Sequence, residues 1–231
     1  MHLFYQPNIS TMILSDEESL HAVKVLRLQS GDNIVIVDGA GGYYQARITL
    51  PHHKKCGFEI IDTVHDYGNR SYKLHIAIAP TKNIERLEWF IEKAVEIGVD
   101  EITPVLCRFS ERKIIKAERL EKIIVSAAKQ SIKAFFPKLN PLCTFDELLK
   151  NHHAKASYIA HCYQGEKALL KDLLSEQDDV LILIGPEGDF SPEEVEKALK
   201  AGFRPVSLGE SRLRTETAGV VACAQVAVVL S

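Results

Sequence analysis

The sequence predicts an α/β protein whose mostly parallel sheet follows a small N-terminal β-barrel domain. Three observations lead there. From residue 73 onward, short buried-strand patterns alternate with longer amphipathic helix patterns, the mark of strand–helix–strand units. Before residue 70 the segments are short, alternating and rich in turn residues. The length, 231 residues with 46% hydrophobic and 26% charged, suffices for one large domain or two modest ones of ordinary soluble composition.

The elements follow in order. Ser15-Asp16 opens a short helix over residues 17–25. Ser30-Gly31-Asp32-Asn33 turns the chain into an apolar run at 34–37, a glycine-rich turn follows at 38–42, and residues 43–48 and 58–61 carry strand patterning. Tyr67-Gly68-Asn69-Arg70 reads as a linker, giving domains at 1–70 and 73–231. The second region starts with a buried strand at 74–79, closed by Pro80. A helix over residues 84–97 aligns Ile84, Leu87, Ile91, Ala94 and Val95 on one stripe, and Gly98 suits its C-terminal cap. Trp89 within it is expected to pack in the core. Residues 101–106 are a strand. Residues 117–131 form a second amphipathic helix with Leu120, Ile123, Ile124, Ala127 and Ala128 inward and basic residues outward. Strands follow at 156–160 and 180–184. Ser191 is an N-cap, Pro192 the first helical residue, and Glu194 closes a capping box; Gly202 ends that helix. Residues 205–208 make a last short strand. Residues 218–230 are apolar nearly all round, as in a helix buried by other elements or by a second subunit.

Several function classes are excluded or disfavoured. No apolar run reaches the ~18 residues of a membrane helix, and the first six residues lack the basic-then-apolar order of a signal peptide. Cys56, Cys107, Cys143, Cys162 and Cys223 are scattered and never spaced C-x-x-C, so reduced thiols in a cytoplasmic protein are expected rather than a disulfide framework or zinc site. The pairs His52-His53 and His152-His153 lack helical ligand spacing, and no metal is expected. Net charge is −3, yet residues 108–138 hold nine basic residues against three acidic ones. That asymmetry fits a polyanion footprint; a solvated helix face laced with ion pairs fits it equally.

Two segments stand out for chemistry. The first, Ile184-Gly185-Pro186-Glu187-Gly188, ends a buried strand and leads into the capped helix. Ligands bind at the carboxyl ends of parallel strands, and glycine lets backbone approach a flat ligand. The segment is neither a Walker loop nor G-x-G-x-x-G, and a plain strand–turn–helix connection would look similar. The second runs from Leu208-Gly209 through Arg212-Leu213-Arg214-Thr215-Glu216-Thr217-Ala218. A surface loop accounts for its polar residues but less readily for Leu213 among them.

Together these segments resemble the 16S ribosomal RNA uracil N3-methyltransferases of the SPOUT class. The stretch around Glu88-Trp89-Phe90-Ile91-Glu92-Lys93-Ala94-Val95-Glu96-Ile97-Gly98-Val99 is similar to that family's first long helix. His21-Ala22-Val23-Lys24-Val25-Leu26-Arg27-Leu28 with Gly31-Asp32 is similar to its N-terminal PUA-like domain. The resemblance spans Phe4 to Val226. It departs at Ala127-Ala128-Lys129-Gln130-Ser131-Ile132-Lys133, where the family has glutamate at the position of Lys129 and arginine at that of Lys133; the forked donor geometry of arginine is lost there.

The resemblance implies a trefoil-knotted SPOUT sheet, S-adenosylmethionine as cofactor, 16S ribosomal RNA or the small ribosomal subunit as partner, and a homodimer. It places the cofactor on Ile184, Gly185, Pro186, Glu187, Gly188, Leu208, Gly209, Leu213, Arg214, Thr217 and Ala218. Methylating an imide nitrogen requires removal of its proton or stabilisation of charge on the uracil oxygens. Arg214 is the expected electrostatic group and Glu216 a candidate base. A structural ion pair or phosphate contact is the competing role for Arg214, and orientation of backbone amides the competing role for Glu216 and Glu187. RNA phosphate is expected on Lys24, Arg27, Lys82, Arg86, Arg112, Lys113, Lys129 and Lys133. Two rivals stand beside this reading. A nucleotide-dependent oxidoreductase lacks its glycine fingerprint here. A non-catalytic RNA-binding protein sits poorly with the two intact segments.

Overall fold

Short strands with one apolar face need partners, and those before residue 70 find each other. In the computed structural model, which describes residues 2–175 and 179–230, the chain divides into two units, Met1–Asn69 with Val125–Phe136, and Arg70–Ile124 with Pro137–Ser231. The first unit holds β1 (Leu3–Tyr5), α1 (Asp16–Leu20), β2 (Asn33–Val37), β3 (Tyr43–Leu50) and β4 (Gly57–Val64). The strands pair in the order β1-β2-β3-β4, with β1 parallel to β2 and the other pairs antiparallel. Tyr44, Ala46 and Ile48 alternate inward along β3 and meet Phe4, Leu14, Ala22, Ile34, Ile36 and Phe58 in one core. Ser15 caps α1 by accepting from the Glu18 amide.

The helix expected over 17–25 changes character partway. His21–Val25 is a π-helical turn, with the Leu26 amide donating to the His21 carbonyl at 2.9 Å, and Arg27 follows at φ 58°. Val125–Phe136 is built into the same unit. The Phe136 amide donates to the Gly39 carbonyl and the Gly41 amide to the Ala134 carbonyl, each at 3.0 Å, while the Phe136 ring stacks on Tyr5 at 4.6 Å. Gly41 has φ 101°, and the Phe135 ring lies 2.3 Å from where a Cβ would stand. Any side chain there collides with the aromatic ring.

The second unit contains β5 (Lys73–Ile78), α2 (Ile84–Ile97), β6 (Glu101–Leu106), most of α3 (Ala117–Gln130), β7 (Lys138–Leu139), β8 (Cys143–Thr144), α4 (Phe145–Asn151), β9 (Ala156–Ala160), β10 (Ala168–Leu169), α5 (Leu170–Leu173), β11 (Asp179–Ile184), α6 (Pro192–Lys200), β12 (Arg204–Ser207) and α7 (Thr215–Leu230). The sheet runs β10-β12-β9-β11-β5-β6-β7 with β8 beside β6, and its pairs are parallel. From central β5 the chain moves outward through β6 and β7, then returns to the other side through β9, β11 and β12. Such a reversal opens a crevice at the carboxyl ends of the strands.

The strand–helix alternation expected after residue 73 is present, and the α6 capping box forms with both bonds made. Some features differ from expectation. α4, with its own Thr144–Glu147 capping box, and the two-residue strands β7, β8 and β10 carry too short a pattern to stand out. α7 starts at Thr215, three residues before its apolar run, because the Ala218 amide reaches back to the Arg214 carbonyl at 2.7 Å. Trp89 is not in the core. It is 43% exposed, because the buried stripe of α2 is Leu87, Phe90, Ile91, Ala94 and Val95 and position 89 falls off it. α7 buries Gly219, Ala222, Cys223 and Val226 and leaves Val228 and Val229 exposed.

Candidate active site

Three loops that follow parallel strands enclose one cavity of about 600 Å³. The loop after β9 contributes His161, Cys162, Tyr163 and Lys167. The loop after β11 contributes Gly188 and Asp189, and the loop after β12 contributes residues 208–213; Ala160, Val206, Ser207 and, from α7, Ala218 complete the lining. This volume lies within the roughly 300–1,000 Å³ of small-molecule pockets.

Side chains tie the loops together. Asp189, at φ 67°, accepts from the Cys162 amide at 2.7 Å, and the Tyr163 hydroxyl donates to the Phe190 carbonyl at 2.7 Å. Lys167 donates to the carbonyls of His161 and Tyr163, both at 2.7 Å. Gln225 of α7 donates to the Leu208 carbonyl at 2.9 Å. Thr215 joins the two chemically marked segments, its hydroxyl donating to the Gly185 carbonyl at 3.0 Å in a buried bond. The site is therefore a set of cross-braced backbone walls. His161 keeps its Nδ1 buried without a partner, and burial, with Lys167 adding to it, holds its pKa below the ordinary histidine value.

A second cavity of about 570 Å³ is lined by Asn83, Glu85, Arg86, Trp89, Arg212, Leu213, Arg214, Glu216 and Thr217. Arg212 and Leu213 line both cavities, so a single turn of chain separates them. Glu216 is only 7% exposed. Its Oε1 lies 3.8 Å from Arg86 Nε, beyond hydrogen-bond reach, and its Oε2 is buried without a partner.

The sequence-marked residues fall into three groups. Gly188, Leu208, Gly209, Leu213 and Ala218 line the first cavity; Arg86, Arg214, Glu216 and Thr217 line the second. Ile184, Gly185 and Pro186 are buried and line neither. Glu187 also lines neither; its Oε1 accepts from the Lys82 amide at 3.0 Å, tying the loop after β11 to the loop after β5. Among the expected RNA contacts, Lys24, Arg27 and Lys113 are exposed and Lys133 is half-buried. Lys82 pairs with Glu111 at 2.8 Å. Arg112 turns its guanidinium onto the carbonyls of Thr81 and Lys82, at 3.0 and 2.7 Å. Lys129 pairs at 2.5 Å with Glu18, whose other bond is to the Tyr5 amide, so the departure from the family pattern places a cation against a part-buried carboxylate. Sequence reasoning missed His161, Cys162, Tyr163, Lys167 and Asp189. The loop position after a parallel strand was the available signal, but none of those residues forms a motif.

The chain as a whole is similar to known proteins. A family model described as an RNA methyltransferase domain matches residues 69–227, and one described as an RNA methyltransferase PUA domain matches residues 14–61. A ribosomal RNA small subunit methyltransferase E of Buchnera aphidicola subsp. Acyrthosiphon pisum is 31% identical over 216 residues, covering 90% of this chain and 84% of that protein. Among solved structures, a probable rRNA-methyltransferase from Porphyromonas gingivalis superposes with TM-score 0.94 at 45% identity, over 99% of this chain and 98% of that one. The ribosomal RNA small subunit methyltransferase E from Neisseria gonorrhoeae, bound to S-adenosyl methionine, gives TM-score 0.87 at 28% identity over 100% and 98%.

Proposed function

This chain belongs to the RNA methyltransferase family with an N-terminal PUA domain, and we propose that it methylates N3 of a uridine in small-subunit (16S) ribosomal RNA with S-adenosylmethionine. The observation that carries the reading is the convergence of the 188 turn and the 208–213 turn on one cavity of about 600 Å³. That cavity fits the donor's chemistry. Leu208, Leu213 and Ala218 offer apolar surface for an adenine, and Gly188 and Gly209 let backbone amides and carbonyls reach it.

S-adenosylmethionine, when bound, would supply an electrophilic methyl group for N3, and the protein's part is to help the N3 proton leave. We assign Arg214 to hold a uracil carbonyl oxygen by charge-assisted hydrogen bonds as negative charge develops there. We assign Glu216 to take the N3 proton; its buried and under-satisfied carboxylate supports that role. Gly185, Pro186 and Ile184 support the wall from behind the surface, through the Thr215 bond, and Thr217 borders the acceptor side.

RNA phosphate is gripped by the exposed cations, Lys24 and Arg27 on the first unit and Lys113 on the second, with Lys133 adding charge. Arg112 acts through the loop after β5 that it braces, and Lys129 through its pair with Glu18. The exposed Val228 and Val229 on α7 support a homodimer. Among the described residues no His/Cys/Asp/Glu cluster suits a metal and no helix is long and apolar enough to cross a membrane. The free thiols of all five cysteines suit a reducing cytoplasm. Mapping N3-methyluridine in ribosomal RNA from cells with and without this gene tests the reading: the mark disappears with the gene and returns on complementation. Its persistence in the deletion strain refutes the assignment.

A further inference from the structure

The second cavity carries features that cofactor binding does not use. Its wall includes the chain's single tryptophan, with 43% of its surface exposed on a helix that buries Leu87, Phe90, Ile91 and Val95. Its floor holds Glu216, a carboxylate more than nine-tenths buried, with one oxygen partnerless and the other too far from Arg86 to be hydrogen-bonded. A buried carboxylate oxygen in that condition is costly until a donor completes it. Arg86 and Arg214 stand among the same lining residues and can only donate.

We infer that this cavity receives the acceptor base itself, a pyrimidine with an imide edge, stacked on Trp89 and read by Arg86, Glu216 and Arg214. The match is one of hydrogen-bonding pattern. The lining supplies donors from Arg86 and Arg214 and an acceptor from Glu216. The uracil edge presents a carbonyl, an N–H and a second carbonyl, which is the complement. Cytosine turns a lone pair toward the carboxylate and an amino group toward an arginine. Guanine presents a carbonyl and an N–H but then an amino group against an arginine. Both leave like-with-like contacts beside a buried carboxylate, an arrangement that discriminates between bases. An aromatic face adds sequence-tolerant stacking for a base turned out of its helix. The shared wall of Arg212 and Leu213 puts such a base one chain turn from the first cavity. The inference rests on the methyltransferase reading for its chemistry, yet its binding test stands apart from it.

Trp89 is the only tryptophan, so its fluorescence reports this cavity alone. The full-length protein is titrated with short single-stranded RNAs in which one base, flanked by abasic riboses, is uridine, cytidine or N3-methyluridine. Uridine quenches saturably, and the other two bind at least about tenfold more weakly. In methyl-transfer assays Trp89→Ala lowers kcat/KM by about tenfold to hundredfold, chiefly through KM. Its S-adenosylmethionine affinity by calorimetry stays within about twofold of wild type, as for other exposed positions. Trp89→Phe, which keeps a stacking face, recovers most of the loss. Arg86→Met narrows the preference for uridine over cytidine. Equal quenching by all three RNAs, or a Trp89→Ala enzyme with unaltered kcat/KM, overturns the inference. A wild-type protein that quenches selectively with uridine but leaves N3 unmethylated overturns the reaction while keeping the base site.

Discussion

The bond from the Thr215 hydroxyl to the Gly185 carbonyl is the most informative single contact to remove. It is 3.0 Å long and buried, and it joins the turn after β11 to the first residue of α7. Valine has nearly the same shape as threonine, so Thr215→Val opens no cavity and leaves the Gly185 carbonyl buried without its donor. Leaving one buried acceptor unsatisfied costs about 1–3 kcal/mol. In a chain of this size the melting midpoint falls by about 2–4 °C for each kcal/mol. The consequence reaches function because residues 188 and 208–213 border one cavity. Unlinking their supports lets the walls part, so affinity for S-adenosylmethionine falls as well, read by calorimetry well below the melting temperature. Thr215→Ser keeps the hydroxyl and serves as the control that retains both properties. If Thr215→Val melts with wild type and binds the cofactor equally well, the bond does not hold the two segments together, and the account of the site as cross-braced backbone walls is wrong.

Three further outcomes follow from the same structure. Gly219→Ala places a Cβ about where the Phe90 ring stands 2.5 Å away and Ile78 3.2 Å away; this overpacking is expected to destabilise by about 1–3 kcal/mol, measured by chemical denaturation, and an unchanged midpoint contradicts the close crossing of α7 over α2 and β5. Arg214→Ala is expected to abolish turnover while cofactor affinity by calorimetry stays within about a few fold; near-wild-type turnover removes Arg214 from the chemistry. His75 is held below the ordinary histidine value first by burial, then by Lys138 and His152, with Glu101 opposing. The unfolded chain therefore binds the proton more readily, and the stability this group contributes is complete above the unfolded value near pH ~6.5 and lost as pH falls below it. Denaturation midpoints measured from pH 7 to 5 are expected to fall, and to fall less steeply in His75→Asn; identical slopes refute that assignment.

Local physics made much of this protein readable from its residues. The apolar stripe of α2 and the Ser191–Glu194 capping box of α6 involve neighbours within one turn, and both appear where their spacing places them. The chemically marked glycine turns were legible because glycine and strand ends advertise ligand approach. Trp89 and Arg112 were not, nor was the partner of Glu187, whose amide-orienting role was among the readings. Trp89 lies one position off a stripe whose inner face only packing defines, and the bonds of Arg112 to the Thr81 and Lys82 carbonyls and of Glu187 to the Lys82 amide join residues about 30 and 105 apart in sequence. The same holds for His161 and Lys167, which join the cavity only because β9 pairs with β11 and β12. Periodicity and capping are settled by side chains a few residues apart, so the sequence alone determined the longer elements and marked the two turns. Strand order is settled by burial of surfaces far apart in the chain, so only the tertiary structure decided which loops meet, which carboxylate is left without a donor, and which aromatic ring faces outward.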